Sequence, residues 1–488
     1  MSKYKALIGL EMHCQISNTN SKVFSSAKNG YSEDANIYVE AVDMGFPGTL
    51  PVVNKEAVKK ALMMSMMLKC SQPEYLYFER KNYYYPDLPK GYQITQDTKP
   101  SPIGINGEVE YLFNGETRVA KIDNIHLEED TALQSHLPDC TLLDYNRAGI
   151  PLLEMVTAPS FHSAEEAIAF LETIRSMYRY AGISEADPKK GQVRCDVNIS
   201  IMDEDLDENN PANWGTKVEI KGVNSFGTVA AVINSEVARQ IKLKETGEYD
   251  EMEQQTRRYD EETNSTKFMR SKQDAIDYRY FVEPNIPKIK IDKSWLEEIR
   301  KEIPILKFER MKKYIDEYGI KLVDADTLTK EKDVSDYFEN LVNAGVKPID
   351  AANWMNTIIL GSINKLSVSI KDFFIEPRTL AELIKMVYEE KISKNQAKNA
   401  LYEAVDSGKD PLEIIKSSGI EQMQNDDELI SIINDILNAN PAQLKDYLTK
   451  GLSNIINYFL GQVMKETKGR ANPAKAMELL KNEIEKRK

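Results

Sequence analysis

The stretch Lys5-Ala-Leu-Ile-Gly-Leu-Glu-Met-His-Cys-Gln-Ile16 decides the fold class. Alternate residues carry opposite chemistry: Ala6, Ile8, Leu10, Met12, Cys14 and Ile16 on one side, Glu11, His13 and Gln15 on the other. A two-residue period places alternate side chains on one face, roughly 6.5–7 Å apart along an extended chain. The pattern returns in Val193–Ile201, where Val193, Cys195, Val197, Ile199 and Ile201 oppose Arg194, Asp196, Asn198 and Ser200. Val119–Asp130 and Lys217–Lys221 repeat it, with His126, Glu128, Lys217, Glu219 and Lys221 as the polar members. Such strands predict a largely antiparallel sheet with one face on a core. The other face is either a solvated exterior or a working platform. The platform reading gains from what stands there: few Ser or Thr, and many groups able to bind metal or phosphate. Two of the only four His among 488 residues lie in these strands.

Working outward, Asn114-Gly115 predicts a type I′ hairpin between Val109–Phe113 and Glu116–Ile122. Ser163 with Glu166 three residues on reads as a capping box opening a helix, with Ala167, Phe170, Leu171, Ile174 and Tyr178 as its apolar face. A second helix is predicted from about Thr228 to Thr246, stopped at Gly247. The segment Pro287–Asp292 reads as a linker or short strand. Beyond it the pattern turns helical, and a further boundary falls near Asp406–Pro411. Leu448, Leu452, Ile455, Ile456, Phe459 and Val463 follow helical spacing, and Asn472-Pro473 opens a last helix. The chain is therefore expected to be α+β: an antiparallel-sheet domain over 1–292, a helical domain over 293–408 and a small all-α tail over 409–488.

A chain of 488 residues exceeds one core's usual size. No stretch approaches 18 uninterrupted apolar residues, and the N-terminus lacks the apolar core of a signal peptide. Four cysteines without a CxxC spacing predict neither a disulfide framework nor a zinc site. A cytoplasmic protein with no membrane and no DNA as partner is expected. The net charge of −14 argues against a sequence-independent nucleic-acid coat. Its distribution is uneven: nine acids and two bases over 401–440, ten bases and five acids over 441–488. The C-terminus is thus a basic patch on an acidic chain.

Glu11 and His13 form a candidate metal pair. His126-Leu-Glu-Glu-Asp130 sets three carboxylates in a row, which repel unless a cation neutralises them. Glu154 lies in the apolar run Ile150–Val156 and needs a partner if buried. Glu11, one of Glu128 and Glu129, and Glu154 together suit Mg²⁺, a hard cation that prefers oxygen. His13 either orients a carboxylate or touches substrate. Strand parity favours Glu128, and a bulge would favour Glu129 instead. Arg80–Asp87, followed by Lys90-Gly-Tyr92, is dense in cations and aromatics. It is either a surface loop with packed tyrosines or a loop over phosphates, with Lys81 as a point charge; Arg147 is a second candidate phosphate clamp. Neither GxxxxGK[ST] nor GxGxxG occurs, so a nucleotide would need a sheet-based site. No serine-nucleophile motif is present, and activation or phosphoryl transfer fits better than hydrolysis.

Taken together these segments resemble the B-subunit family of bacterial glutamyl/aspartyl-tRNA amidotransferases. The strings that carry the resemblance include Gly9-Leu-Glu-Met-His13, Met44-Gly-Phe-Pro-Gly48, Arg80–Asp87, His126–Asp130, Asp144–Glu154, Val193–Ser200, Asp277-Tyr-Arg-Tyr-Phe281 and Lys468-Gly-Arg-Ala-Asn-Pro473. The resemblance implies a cradle with a glutamine synthetase-like catalytic fold, then a helical domain and a tail. It implies an ATP- and Mg²⁺-dependent ligase that phosphorylates and amidates misacylated Glu-tRNA(Gln) or Asp-tRNA(Asn). Ammonia would come through a tunnel from the family's amidase partner, the A subunit, and the small C subunit would complete a heterotrimer. Lys81, Glu11 and His13 would be catalytic, and Glu11, His13, Glu128, Glu129 and Glu154 would supply the metal ligands. Tyr83, Lys90, Arg147, Arg194, Asp196, Glu219 and Lys221 would contact ATP or substrate, and Lys465, Lys468 and Arg470 the tRNA.

Four places depart from the family pattern: Thr131-Ala-Leu133, Ala158-Pro-Ser160, Gly222 where the family has Asn, and Val39–Met44, which lacks a cysteine pair used for zinc by some relatives. They motivate an alternative, a scaffold protein that holds tRNA and partner with a decayed kinase site.

Overall fold

In the computed structural model the described residues are 3–223, 225–271, 277–418, 426–450, 453–467 and 471–487. The chain divides into two compact units, Met1–Glu309 and Arg310–Lys488.

The first unit holds the strands. Along the chain come β1 (Tyr4–Gln15), β2 (Tyr75–Leu76), β3 (Glu79–Asn82), β4 (Tyr92–Thr95) and β5 (Gly104–Phe113). Next are β6 (Glu116–Glu129), β7 (Leu133–His136), β8 (Thr141–Asp144), β9 (Pro151–Thr157) and β10 (Val193–Asp203). The last are β11 (Val218–Val223), β12 (Gln255–Asp260), β13 (Ser265–Ser271), β14 (Phe281–Val282) and β15 (Ile289–Lys290). Eight of them form one sheet in the order β13-β12-β11-β10-β1-β9-β6-β5, with β1 near its centre. Neighbours run antiparallel except β11 and β12. That parallel pair is the one departure from the expected antiparallel sheet. It follows from the long helical crossover between the two strands, the connection that parallel neighbours require.

The alternation read from the sequence is the alternation observed. Ile8, Leu10, Met12, Cys14 and Ile16 of the first segment are fully buried, as are Val197, Ile199 and Ile201 of β10. All of these but Ile201 share one core with α1 (Lys55–Met67), α2 (Ala164–Tyr180) and α3 (Phe226–Thr246). Each fully buried Leu or Ile there contributes about 1.5–3 kcal/mol of transfer free energy. Cys14, Cys70 and Cys195 belong to this core; burial pushes the Cys14 thiol up to about 12, so it stays a neutral apolar group.

The helix ends follow from local chemistry. Ser163 accepts the Glu166 N–H as the cap of α2. Glu166 does not return the bond to Ser163; its carboxylate accepts from the His162 N–H at 2.9 Å and the Tyr111 hydroxyl at 3.0 Å, tying helix to sheet. Ser225 caps α3, which starts at Phe226, and Gly247 ends it at φ +79°. Asn114 and Gly115, at φ +51° and +82°, turn the β5–β6 hairpin. The Pro287–Asp292 segment contains β15, which pairs with β2.

The described residues of the second unit form helices and no strand. Leu448 lies in the helix Pro441–Lys450, and Ile455, Ile456, Phe459 and Val463 in the next, Ser453–Glu466. Leu452, between these two helices, lies outside the described residues. The two helices pack with Asp426–Ala439 and Pro473–Glu485 around Leu429, Ile433, Phe459, Val463 and Leu480. Asn472 accepts the Ala474 and Lys475 N–H groups, with Pro473 in the first turn. No helix of the described residues is long and apolar enough to cross a membrane.

Candidate active site

The helices α2 and α3 pack on one face of the large sheet. The opposite face carries the polar residues, and register decides which of them meet. His13 stands opposite Arg194 on one side of β1 and opposite Glu154 on the other. Glu154 in turn stands opposite His126. One register row thus crosses β10, β1, β9 and β6 as Arg194, His13, Glu154 and His126. One step along, Glu11 stands opposite Asp196, and Asn198 opposite Glu219.

Two groups of donors result. His13, Glu128 and Glu154 bring one donor atom each to within 4.8 Å of one another, and Glu11, Asp196 and Glu219 do the same. The single site expected from Glu11, a glutamate of 128/129 and Glu154 is therefore two groups on one face. The cause is lateral: β10 and β11 lie on one side of β1, β9 and β6 on the other, and Glu11 joins the former while His13 joins the latter. Glu128 enters the His13 group. Glu129 points elsewhere: it takes the Lys90 ammonium at 2.6 Å and the Ile94 N–H at 2.9 Å.

The first group is held by protons. His13 Nε2 lies 3.0 Å from Glu154 Oε2, and His126 Nε2 lies 3.4 Å from the same oxygen and 3.7 Å from Glu128 Oε2. Burial acts to raise the Glu154 pKa, but His13 and His126 outweigh it and hold the carboxyl well below its usual range. Burial likewise disfavours charge on His126, yet Glu154 and Glu128 push its pKa up to about 10. Thr95 donates to Glu128 at 3.0 Å.

The second group is all oxygen. Asn198 donates to Glu11 at 2.7 Å, Lys221 lies 3.2 Å from Asp196 and 3.0 Å from Glu219, and Thr256 donates to Glu219 at 2.9 Å. Gly222, at φ +74°, turns its N–H onto Asp196 at 2.8 Å. Burial raises the Glu11 pKa, and repulsion from Glu154, Glu219 and Asp196 adds to it. Lys221 balances part of the charge of these three carboxylates, and a further cation would balance the rest.

Of the other expected residues, Lys81 leaves β3 toward this face, where Glu128 and Glu154 are among the carboxylates that hold its pKa above normal against burial. Tyr83 packs edge-on against Tyr278 at 5.8 Å. Arg147 is committed to backbone: it donates to the Thr131 and Ala132 carbonyls at 2.8 Å each and sits 3.8 Å from Asp130. Arg194 donates to Asp130 at 3.0 Å, which Gln15 also reaches at 2.8 Å. Lys465 is exposed in the second unit, while Lys468 and Arg470 lie outside the described residues. Sequence reading gave no role to Thr95, Asp97, Thr256 or Tyr280, all of which bond to members of the site or to its neighbours.

Two family models match, one described as the GatB/GatE catalytic domain over residues 6–297, the other as a GatB domain over 336–484. The chain is 39% identical over 485 residues to the aspartyl/glutamyl-tRNA(Asn/Gln) amidotransferase B subunit of Geobacillus thermodenitrificans, covering 99% of this chain and 100% of that protein. Identity is 40% to the B subunit of Geobacillus kaustophilus over the same shares, and 38% to that of Carboxydothermus hydrogenoformans, with all of both chains covered. With the site's acids and histidines drawn from strands inside the first matched region, the chain belongs to the B-subunit family of aspartyl/glutamyl-tRNA(Asn/Gln) amidotransferases.

Proposed function

We propose that this chain activates the side-chain carboxylate of glutamate or aspartate misacylated onto tRNA, using ATP and Mg²⁺, and directs ammonia onto it. The observation that supports this most is the pair of donor groups on one sheet face. In this reading residues 1–292 are the catalytic cradle, akin to the glutamine synthetase sheet. Residues 293–408 are a helical domain, and 409–488 a tail for tRNA.

A carboxylate is a poor acyl electrophile because oxide is a poor leaving group. Transfer of the γ-phosphoryl group of ATP to a carboxylate oxygen releases ADP and supplies phosphate as the leaving group. Ammonia then attacks the acyl carbon, loses a proton, and phosphate departs, leaving the amide. The donor sets fit Mg²⁺: Glu11, Asp196 and Glu219 offer oxygen alone, and Glu128 and Glu154 add two carboxylates beside His13. Bound Mg²⁺ would supply charge neutralisation at the transferring phosphoryl group. The chain's own contribution is preorganisation. Asn198, Thr256 and Thr95 hydrogen-bond the carboxylates, as outer-shell partners do at metal sites, and Lys221 balances part of the charge of Asp196 and Glu219. Lys81 adds a fixed positive charge over the His13 group. Arg194, held by Asp130, closes the register row.

Ammonia would come from a glutaminase partner, the amidase A subunit, with the small C subunit completing the heterotrimer. The exposed Lys465 and the basic composition of 441–488 support contact with the tRNA backbone.

The test is Glu11→Ala, co-purified with the amidase partner. ATP-dependent amidation of misacylated tRNA should be lost while glutaminase activity persists. Amidation at the wild-type rate would overturn the reading. The scaffold alternative predicts no Mg²⁺-dependent ATP hydrolysis stimulated by misacylated tRNA. Our reading predicts that hydrolysis, and the retention of both donor groups favours it.

A further inference from the structure

Lys81 carries the positive charge proposed to meet the transferring group, yet a lysine ammonium is a point charge on a flexible four-carbon stem. Left alone beside Glu128 and Glu154 it would collapse onto them, cancelling the carboxylates that a cation needs. In the structure the ammonium has other partners. Lys81 Nζ lies 3.2 Å from Asp97 Oδ2, and the Tyr280 hydroxyl donates to that same oxygen. The ammonium also lies 5.0 Å from the centroid of the Tyr278 ring, within cation–π range.

Asp97 follows β4, the neighbour of β3, whereas Tyr278 and Tyr280 come from a segment far along the chain, stitched to β3 on both sides of Lys81. On one side Arg80 donates to both carboxylate oxygens of Glu283. On the other, Asn82 Nδ2 donates to the carbonyls of Tyr278 and Arg279 at 3.1 and 2.8 Å, and its backbone N–H reaches the Tyr278 carbonyl at 3.0 Å. Arg279 takes φ +48°, a left-handed kink, with its N–H bonded to Asp277. The kink is expensive for an arginine, and it is held in place by bonds that also set Tyr278 and Tyr280 around one ammonium.

We propose that Asp97 and Tyr280 are positioning residues that hold the Lys81 ammonium off Glu128 and Glu154, keeping the cation and the two carboxylates separately available. The inference rests on the function proposed above and adds a device to it. Asp97 makes no hydrogen bond to either donor group; its close contacts are Lys81 and Tyr280.

The test uses the full-length chain, with Mg²⁺ binding read by calorimetry and amidation read on the complex with the amidase partner. In Asp97→Asn the ammonium loses its carboxylate and turns to the nearest remaining ones. Mg²⁺ affinity should then fall about tenfold, and kcat for amidation by at least about tenfold, a coupling of the size expected for residues in one network. Adding Lys81→Met to Asp97→Asn should restore Mg²⁺ affinity without restoring amidation. Simple damage to the fold would not be repaired by deleting a second residue. Tyr280→Phe removes one hydroxyl, and should weaken Mg²⁺ binding about threefold, again reversed by Lys81→Met. Unchanged Mg²⁺ affinity in both Asp97→Asn and Tyr280→Phe, or a loss that Lys81→Met does not reverse, would overturn the inference. Full amidation by Lys81→Met alone would instead remove Lys81 from the proposed chemistry, and the Mg²⁺ titrations would still decide the positioning role.

Discussion

His13 Nε2 and Glu154 Oε2 face each other at 3.0 Å across the β1–β9 ladder, and His126 reaches the same oxygen from the far side. One carboxylate oxygen therefore stands between two imidazoles. With a chelator present, Glu154→Gln should destabilise the chain by about 3 kcal/mol, the lower end for breaking a buried ion pair. The pH dependence follows from both ends. The Glu154 carboxyl titrates well below its normal value, so its contribution is present above about pH 4.5 and is lost on acidification through the depressed folded pKa. His126 is raised to about 10, so its contribution is full below about pH 6.5 and fades as pH rises toward 10. The gap in Tm between wild type and Glu154→Gln should be widest between about pH 4.5 and 6.5 and narrow steadily above. A gap that grows from pH 7 to 10 would contradict the assignment.

Lys22 is fully buried, with its ammonium 3.4 Å from Asp43 and 3.2 Å from the Tyr145 carbonyl. Asp43 also accepts the Ser25 hydroxyl at 2.8 Å and the Glu40 N–H at 2.9 Å. Asp43→Ala should cost about 3–5 kcal/mol in urea unfolding, because it strands a buried charge. Lys22→Met should cost less, since Asp43 keeps two hydrogen bonds. Asp43 lies in the stretch Val39–Met44, which lacks the cysteine pair, and chelators should leave the stability of this ion pair unchanged.

Gly222 has open space around its Cα but a left-handed backbone, so conformation alone limits what can replace it. Gly222→Asn, which matches the family, should fold and bind Mg²⁺ as wild type does, because Asn tolerates that region. Gly222→Val should cost about 1–2 kcal/mol and weaken Mg²⁺ binding at Asp196 by moving the N–H that holds it. Equal behaviour of the two variants would show that the left-handed turn is not needed.

On the proposed role of the tail, Lys465→Gln should lower the slope of log K against log salt for tRNA by about 0.7–0.9, the release of one counterion. A lost affinity with an unchanged slope would place Lys465 outside the phosphate contacts.

Much of the site was legible because alternation is a property of a single strand. It assigned Glu11, His13, Arg194, Asp196 and Glu219 to polar faces, and parity favoured Glu128 over Glu129. What alternation cannot report is which strands lie side by side. The order that puts β10 and β11 on one flank of β1, and β9 and β6 on the other, divides one expected group into two. Tyr280 had no role assigned for a related reason: it comes from irregular backbone, brought to Lys81 by the pairing of distant β14 with β3, while Asp97 sits in irregular backbone just past β4. Arg147 looked like a free cation in its loop, and only the fold shows its guanidinium turned to the Thr131 and Ala132 carbonyls. In the tail, periodicity identified the apolar positions Ile455, Ile456, Phe459 and Val463.

The central place of β1 has a consequence for how the chain reaches its native state. Its neighbours β9 and β10 follow much later in synthesis: the Leu10–Thr157 and Glu11–Asn198 bonds span 147 and 187 positions. Until those strands emerge, a nascent ribbon with Ile8, Leu10 and Met12 along one side has no edge to pair with. Such long-range closure slows folding and exposes a sticky intermediate. Early chaperone capture of this first ribbon, and sharp sensitivity of yield to expression temperature, are the expected costs of building both acidic groups around the earliest strand of the sheet.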